Sequence, residues 1–148
     1  RLDFTEADLV GRSSRSGAFK TLFLALRIKG AVDWGTHLAI SPKHKGKSDA
    51  IEFHHVFPKA YMRRERPDLD NRAVDDIANL AFIGAKTNKT ISDGSPRDYS
   101  SAFHSADLAM QLVELDSSCD VASKFEKFIE RRRGAMASEL NTFLGVAD

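Results

Sequence analysis

The sequence has little of what marks secreted, membrane or disulfide-bonded proteins. Its one cysteine, Cys119, excludes an internal disulfide and a cysteine-cluster metal site. The longest apolar run, near Leu22 to Leu26, is too short to span a bilayer, and no secretory leader is visible. We therefore expect a cytoplasmic chain that makes no contact with a membrane.

The chain also lacks an excess of charge of either sign. Lys and Arg number 22 against 21 Asp and Glu, which gives a net charge of +1 at pH 7. This field is weak for a dedicated nucleic-acid binder, and charge alone favours an ordinary solvated surface. A hydrophobic content of 42% in 148 residues is too high for a disordered chain and suits one globular domain.

The chain begins with Arg1 and not with methionine. We expect residues 1–148 to form a single domain that is a C-terminal fragment of a larger protein. A missing N-terminal domain is then an expected partner, with a role in substrate recognition.

Capping residues and apolar spacing predict helices at both ends of the chain. Thr5, followed by acids, starts a first helix, and Ser14 or Ser16 caps a second helix that Gly30 ends. The residues after Ser95 are predicted to be helical, with one long amphipathic helix at their end over 121–144. The predicted fold class is α+β and mostly helical.

The middle of the chain is predicted to hold two short strands. Residues 51–53 alternate as a strand that runs into His54 and His55, and residues 80–83 form a second strand that Gly84 ends. Around them the pattern predicts a helical turn over 59–66, a helix over 85–91 and polar loops over 41–50 and 68–73.

The most informative segment is IEFHHVFPKAYM, followed one loop later by AVDDIANLAFIGAKTNKTIS. It places His54 and His55 at a strand end, Asn79 at the entry to the next strand and Asn88 on the following helix. Phosphodiester hydrolysis needs a base that takes a proton from water, a cation that neutralises charge, and a scaffold that fixes their separation. A hairpin with a helix packed across it provides such rigid positions.

HHVFP, IANL and TNK, in this order, resemble the HNH signature of the ββα-metal (His-Me finger) nucleases. The segments HHVFPKAYM, IANLAFI and KTNKTISDGSPRDY are similar in sequence to the C-terminal nuclease domain of GmrSD-type, modification-dependent restriction proteins. The motif covers residues 51–100. The resemblance implies a ββα-metal core flanked by N- and C-terminal helices, and an HNH DNA endonuclease or nickase of restriction and antiviral defence.

The resemblance also implies roles for individual residues. His54 occupies the motif position of the first metal ligand, and Asn88 occupies that of the second. His55 occupies the position of the general base. Asn79 stands at the middle asparagine, which supports catalysis by bracing the loop and the base. One divalent ion, Mg²⁺ or Mn²⁺, is implied per site, and the imidazole of His54, where many relatives have Asp, favours Mn²⁺ or another transition ion.

Neighbouring residues of a regular strand point to opposite faces. If His54 and His55 serve one site, we therefore expect the strand to bend there, and the nearby Pro58 favours irregular backbone.

DNA is the expected partner. Lys86, Lys89 and Arg97 follow the motif closely enough in sequence to contact its phosphates. One such site cuts one strand, so a double-strand break requires a second copy, as in a homo-oligomer, or two successive nicks.

The other candidate residues are interpreted as structural. These are His37, His44 and His104 as ordinary histidines, Asp75 and Asp76 as a helix N-terminus, Arg131 to Arg133 as a solvated helix face, and Cys119 as an inert thiol. Three alternatives stay open. They are a non-cleaving nucleic-acid binding or sensing module on the same fold, a structural zinc site using His44, His54, His55 or His104, and an RNA-directed nuclease.

Overall fold

Helices make up most of the described chain, and a two-stranded hairpin lies among them. The computed structural model describes residues 3–41 and 51–145, apart from the side chain of Ile51. The elements follow in the order α1 Glu6–Leu9, α2 Gly17–Ile28, β1 Ile51–His55, α3 Lys59–Glu65, α4 Asn71–Val74, β2 Leu80–Gly84, α5 Ala85–Ile91, α6 Pro96–Tyr99, α7 Ser105–Met110 and α8 Phe125–Phe143. The predicted α+β, mostly helical class is confirmed. Of the loop predicted over 41–50, residues 42–50 lie outside the described residues.

The predicted start of α1 and the predicted cap and end of α2 are confirmed, with Ser16 as the cap. The backbone N–H of Thr5 donates to Asp8 Oδ2 at 2.8 Å, which closes a capping box at the start of α1. Ser16 Oγ accepts from Phe19 N at 3.2 Å and caps α2. Gly30 follows α2 with φ of 88°, a conformation that glycine adopts without a steric penalty. None of the helices in the described residues has the length and apolarity that a membrane crossing requires.

The hairpin pairs β1 with β2 in antiparallel register. His54 lies opposite Ala81, and His55 lies opposite Leu80. Every residue of β2 is buried, and the rings of α2 cover Phe82 on one face of the sheet. The outer edge of β2 is closed by Gln111, whose amide accepts from Phe82 N and donates to Phe82 O, both at 2.8 Å.

The chain after Ser95 departs from the prediction of continuous helix. Ser95 does cap α6, since its Oγ accepts from Asp98 N at 3.1 Å. However, α7 ends at Met110, Leu112 has φ of 63°, and α8 begins only at Phe125, so residues 113–121 carry no helix. The prediction of one long amphipathic helix is confirmed with a later start.

The interpretation of the arginine run on α8 as a solvated face holds for Arg131 and is wrong for Arg132 and Arg133. Arg132 is 2% exposed and donates to Ala78 O at 2.8 Å, Leu80 O at 2.6 Å and Gln111 O at 3.0 Å. Arg133 pairs with the half-buried Asp76. The stripe of α8 that faces the hairpin is thus partly cationic, because the carbonyls at the entry to β2 need donors.

The polar stretch 68–73 is only partly a loop. Asp70 Oδ1 accepts from Ala73 N at 2.9 Å and caps α4. The interpretation of the two aspartates as a helix N-terminus holds for Asp76, which caps the following 3-10 turn, Ile77–Asn79. It is wrong for Asp75, which lies at the C-terminal end of α4.

Candidate active site

Three neighbouring elements carry the residues that the sequence singles out. His54 and His55 are the last residues of β1, and Asn79 ends the 3-10 turn that leads into β2. Asn88 lies in the middle of α5, which follows β2 without a linker and lies against both strands. The hairpin and α5 thus bring these residues into one region of the fold.

Asn79 is buried and braces the loop that follows β1. Its Oδ1 accepts from Phe57 N at 2.8 Å, and its Nδ2 donates to Phe57 O at 3.1 Å and to Val74 O at 2.8 Å. In the backbone, Val56 N donates to Asn79 O at 2.7 Å. A single amide therefore joins the exit of β1 to the end of α4.

The ring of His54 has a buried nitrogen with no hydrogen-bond partner among the residues that the structure describes. This atom is Nε2, and it lies 3.7 Å from Glu52 Oε2, which is beyond hydrogen-bond distance. Burial lowers the pKa of His54, although Glu52 and Asp33 act in the opposite direction. The neutral ring with a free electron pair is the form of histidine that binds a metal ion.

His55 contacts a carboxylate that the sequence interpretation did not assign to the site. Its Nε2 lies 2.8 Å from Asp75 Oδ1, and Lys59 Nζ lies 3.3 Å from the same oxygen. The histidine side chain is 23% exposed, so solvent reaches it. Asp75 and Lys59 were not found from sequence because their pairing depends on how the loops fold.

β1 stays regular through His54 and His55, and the backbone bends only after them, at Val56 and Phe57. The ladder stays in register through His55, and the next backbone bond, from Val56 to Asn79, continues it. By the pleat of a regular strand, the two imidazoles leave β1 on opposite sides. His54 shares its side with Glu52, while His55 lies toward Asp75.

A buried aspartate, also missed by sequence reasoning, fixes the start of α5. Asp33 is fully buried; its Oδ1 accepts from Gly84 N at 2.7 Å, and its Oδ2 accepts from the hydroxyl of Thr87. The same Oδ2 accepts from Gly35 N and Thr36 N at 3.0 and 2.8 Å. The sequence signal was the Asp-Trp-Gly-Thr turn, which indicates a local bend but not a partner on α5.

The half-buried Asn88 lies beside the buried Thr87 on α5, and Lys86 and Lys89 are exposed on the same helix. Arg97 lies apart from these residues on α6. It forms a two-pronged pair with Asp120, at 3.1 and 2.8 Å, so its charge is already compensated.

His37 and His104 lie elsewhere in the fold. His37 Nδ1 lies 2.8 Å from Asp107 Oδ2, the rings of His37 and His104 are 5.3 Å apart, and His44 is outside the described residues. Over residues 3–41 and 51–145 there is no group of three or more His, Cys, Asp or Glu side chains placed to hold a metal ion. Cys119 is buried.

Comparison of the chain with protein-family models, curated proteins and solved structures finds no match.

Proposed function

We propose that this chain is an HNH-type, metal-dependent nuclease domain that hydrolyses phosphodiester bonds of DNA. The observation that carries the proposal is the buried Nε2 of His54, which has no partner within residues 3–41 and 51–145. His54 lies next to His55 in the motif, on the hairpin that α5 follows. A neutral imidazole nitrogen buried without a partner is costly unless a ligand satisfies it. We infer a ββα-metal core, in which β1, β2 and α5 are the three elements.

His54 and Asn88 are the proposed ligands of one Mg²⁺ or Mn²⁺ ion. Two protein ligands leave positions for water and substrate oxygens, as is usual for ions that act on phosphates. When bound, the ion supplies positive charge at the scissile phosphate and the leaving 3′ oxygen.

His55 is the proposed general base. Its neutral ring takes a proton from a water molecule, whose oxygen forms the new bond to phosphorus while the bond to the 3′ oxygen breaks. The leaving oxygen takes its proton from solvent, so the products are 5′-phosphate and 3′-hydroxyl ends. In-line attack requires the base and the leaving group to lie on opposite sides of the phosphorus. Because His54 and His55 leave the regular strand on opposite sides, joint action at one phosphate requires the end of β1 to bend when DNA is bound.

Lys86 and Lys89 are proposed to contact DNA phosphates, since they are exposed on the helix that carries Asn88. Arg97 has no part in this proposal because Asp120 neutralises it. A cytoplasmic role in restriction or antiviral defence is a further part of the proposal that depends on the motif resemblance.

The test is cleavage of supercoiled plasmid with Mn²⁺ or Mg²⁺ by wild type and His55→Ala. We expect His55→Ala to lose at least about 100-fold in rate, the usual contribution of a general base, with little change in Tm. His104→Ala, which removes an exposed histidine directly before α7, is the matched control and should cleave normally. Full cleavage by His55→Ala would refute the assignment of the base. Binding of DNA without any cleavage would favour the non-cleaving module, and faster cleavage of RNA would favour an RNA-directed nuclease.

A further inference from the structure

One of the two ring nitrogens of His55 is hydrogen-bonded to a carboxylate. Nε2 lies 2.8 Å from Asp75 Oδ1. A carboxylate can only accept a hydrogen bond, so the single proton of a neutral His55 ring must lie on Nε2. Nδ1 is then the basic atom of the ring.

The carboxylate of Asp75 also contacts a cation, Lys59. Lys59 Nζ lies 3.3 Å from the oxygen that faces His55. Partial burial works to raise the pKa of Asp75, but the hydrogen bonds from His55 and Lys59 outweigh it, and the pKa lies below the ordinary value. At neutral pH the side chain is therefore ionised.

The backbone on both sides of this pair is fixed by Asn79. Its amide holds Phe57, two residues after His55, and Val74, the residue before Asp75. The separation of the histidine and the aspartate is thus set by buried hydrogen bonds, although Asp75 itself is 45% exposed. An exposed surface pair without such a brace would sample many geometries.

We propose that Asp75 is the positioning residue for His55: it fixes the orientation of the ring and its Nε2-protonated tautomer, which leaves Nδ1 to accept a proton. The selection of the tautomer follows from the geometry alone, whereas its use in catalysis rests on the proposed nuclease function. In that reaction the water proton moves to Nδ1, and the resulting imidazolium donates from Nε2 to Asp75. Buried carboxylates orient histidine bases in the same way.

The test compares wild type, Asp75→Ala and Asp93→Ala, each as the full chain. Asp93→Ala is the matched control, since it removes the same charge from an exposed ion pair with Arg64. Long-range ¹H–¹⁵N spectra of the histidine rings, recorded without metal at pH 8 and assigned with His55→Ala, report which nitrogen carries the proton. We expect one Nε2-protonated tautomer in wild type and in Asp93→Ala, and a mixture in Asp75→Ala. In the cleavage assay we expect Asp75→Ala to lose about 10- to 100-fold in kcat, as for other groups that orient a ligand or base, with KM changed less than about twofold.

Three outcomes would overturn the proposal, and two of them concern the Asp75→Ala protein. One is a mixture of tautomers in wild type. The others are an Asp75→Ala protein with an unchanged tautomer and one whose tautomer changes while kcat does not. If wild type cleaves no substrate but its tautomer depends on Asp75, the nuclease assignment fails and the role of Asp75 in setting the tautomer stands.

Discussion

Asn79 and Phe57 are joined by two hydrogen bonds, from Phe57 N to Oδ1 at 2.8 Å and from Nδ2 to Phe57 O at 3.1 Å. The asparagine thereby acts on the chain as a neighbouring strand would, at a position where β1 has already ended. Its third bond, to Val74 O, extends this support to the loop that carries Asp75.

Replacement of this amide should affect stability and activity together. Asn79→Ala leaves a buried N–H and two buried carbonyls without partners, which we expect to cost about 2–4 kcal/mol of unfolding free energy. The measurement is urea unfolding together with plasmid cleavage. Asn71→Ala, at an exposed position on α4, is the control and should change the unfolding free energy and the cleavage rate far less. A stable and fully active Asn79→Ala protein would contradict the bracing role.

Asn88 should matter for metal binding rather than for folding. Asn88→Ala removes one of the two proposed ligands. Loss of a group that only orients a metal ligand already weakens binding about tenfold. We therefore expect Asn88→Ala to weaken Mn²⁺ binding, measured by calorimetry, by at least about tenfold. Thr90→Ala, exposed on the same helix, is the control. Removal of metal by a chelator should abolish cleavage and leave the circular dichroism unchanged. Unfolding by the chelator would instead support a structural metal site.

Asp33 should make the protein sensitive to acid. Burial alone would raise its pKa, but hydrogen bonds from Thr87, Gly84 and Thr36 outweigh burial and lower it. A carboxylate with a lowered pKa stabilises the fold above the unfolded value of about 3.9, and this contribution is lost as pH falls through the folded value.

We therefore expect the unfolding free energy of wild type to fall below about pH 4. Asp33→Asn should lower it by about 3 kcal/mol at pH 7, the cost of breaking a buried charged network, and should reduce the dependence on pH. Chemical unfolding at a series of pH values measures both effects. If Asp33→Asn shows the same acid dependence as wild type, other carboxylates are responsible.

Arg132 should be the most sensitive position of α8. Arg132→Met keeps much of the side-chain volume but leaves three carbonyl oxygens without a donor, so we expect a loss of about 3 kcal/mol or more. Arg131→Met, the exposed neighbour that pairs with Asp116, should cost less than about 1 kcal/mol. Thermal or urea unfolding of the two variants gives the comparison, and equal losses would show that the burial of Arg132 contributes little.

The features that could be predicted from sequence are those with local causes. Ser16 caps α2 through an N–H three residues away, and Gly84 separates β2 from α5 as predicted. The predicted positions of both strands agree with β1 and β2 because each has its own alternation or apolar run.

The features that escaped prediction depend on residues far apart in the chain. His55 and Asp75 are 20 residues apart, and 54 residues separate both Asp33 from Thr87 and Arg132 from Ala78. No periodicity encodes such pairs. The assignment of His54, His55, Asn79 and Asn88 came from motif resemblance, and their catalytic and metal-binding roles stay predictions.

Gln111 has a consequence for association between copies of the chain. An exposed strand edge offers unpaired backbone groups to any other extended chain and is a common starting point of aggregation. At Phe82, one side-chain amide satisfies both the N–H and the carbonyl that would otherwise face outward from β2. One glutamine thus protects a two-stranded sheet against intermolecular pairing at this position, where larger sheets use an additional strand or a covering helix.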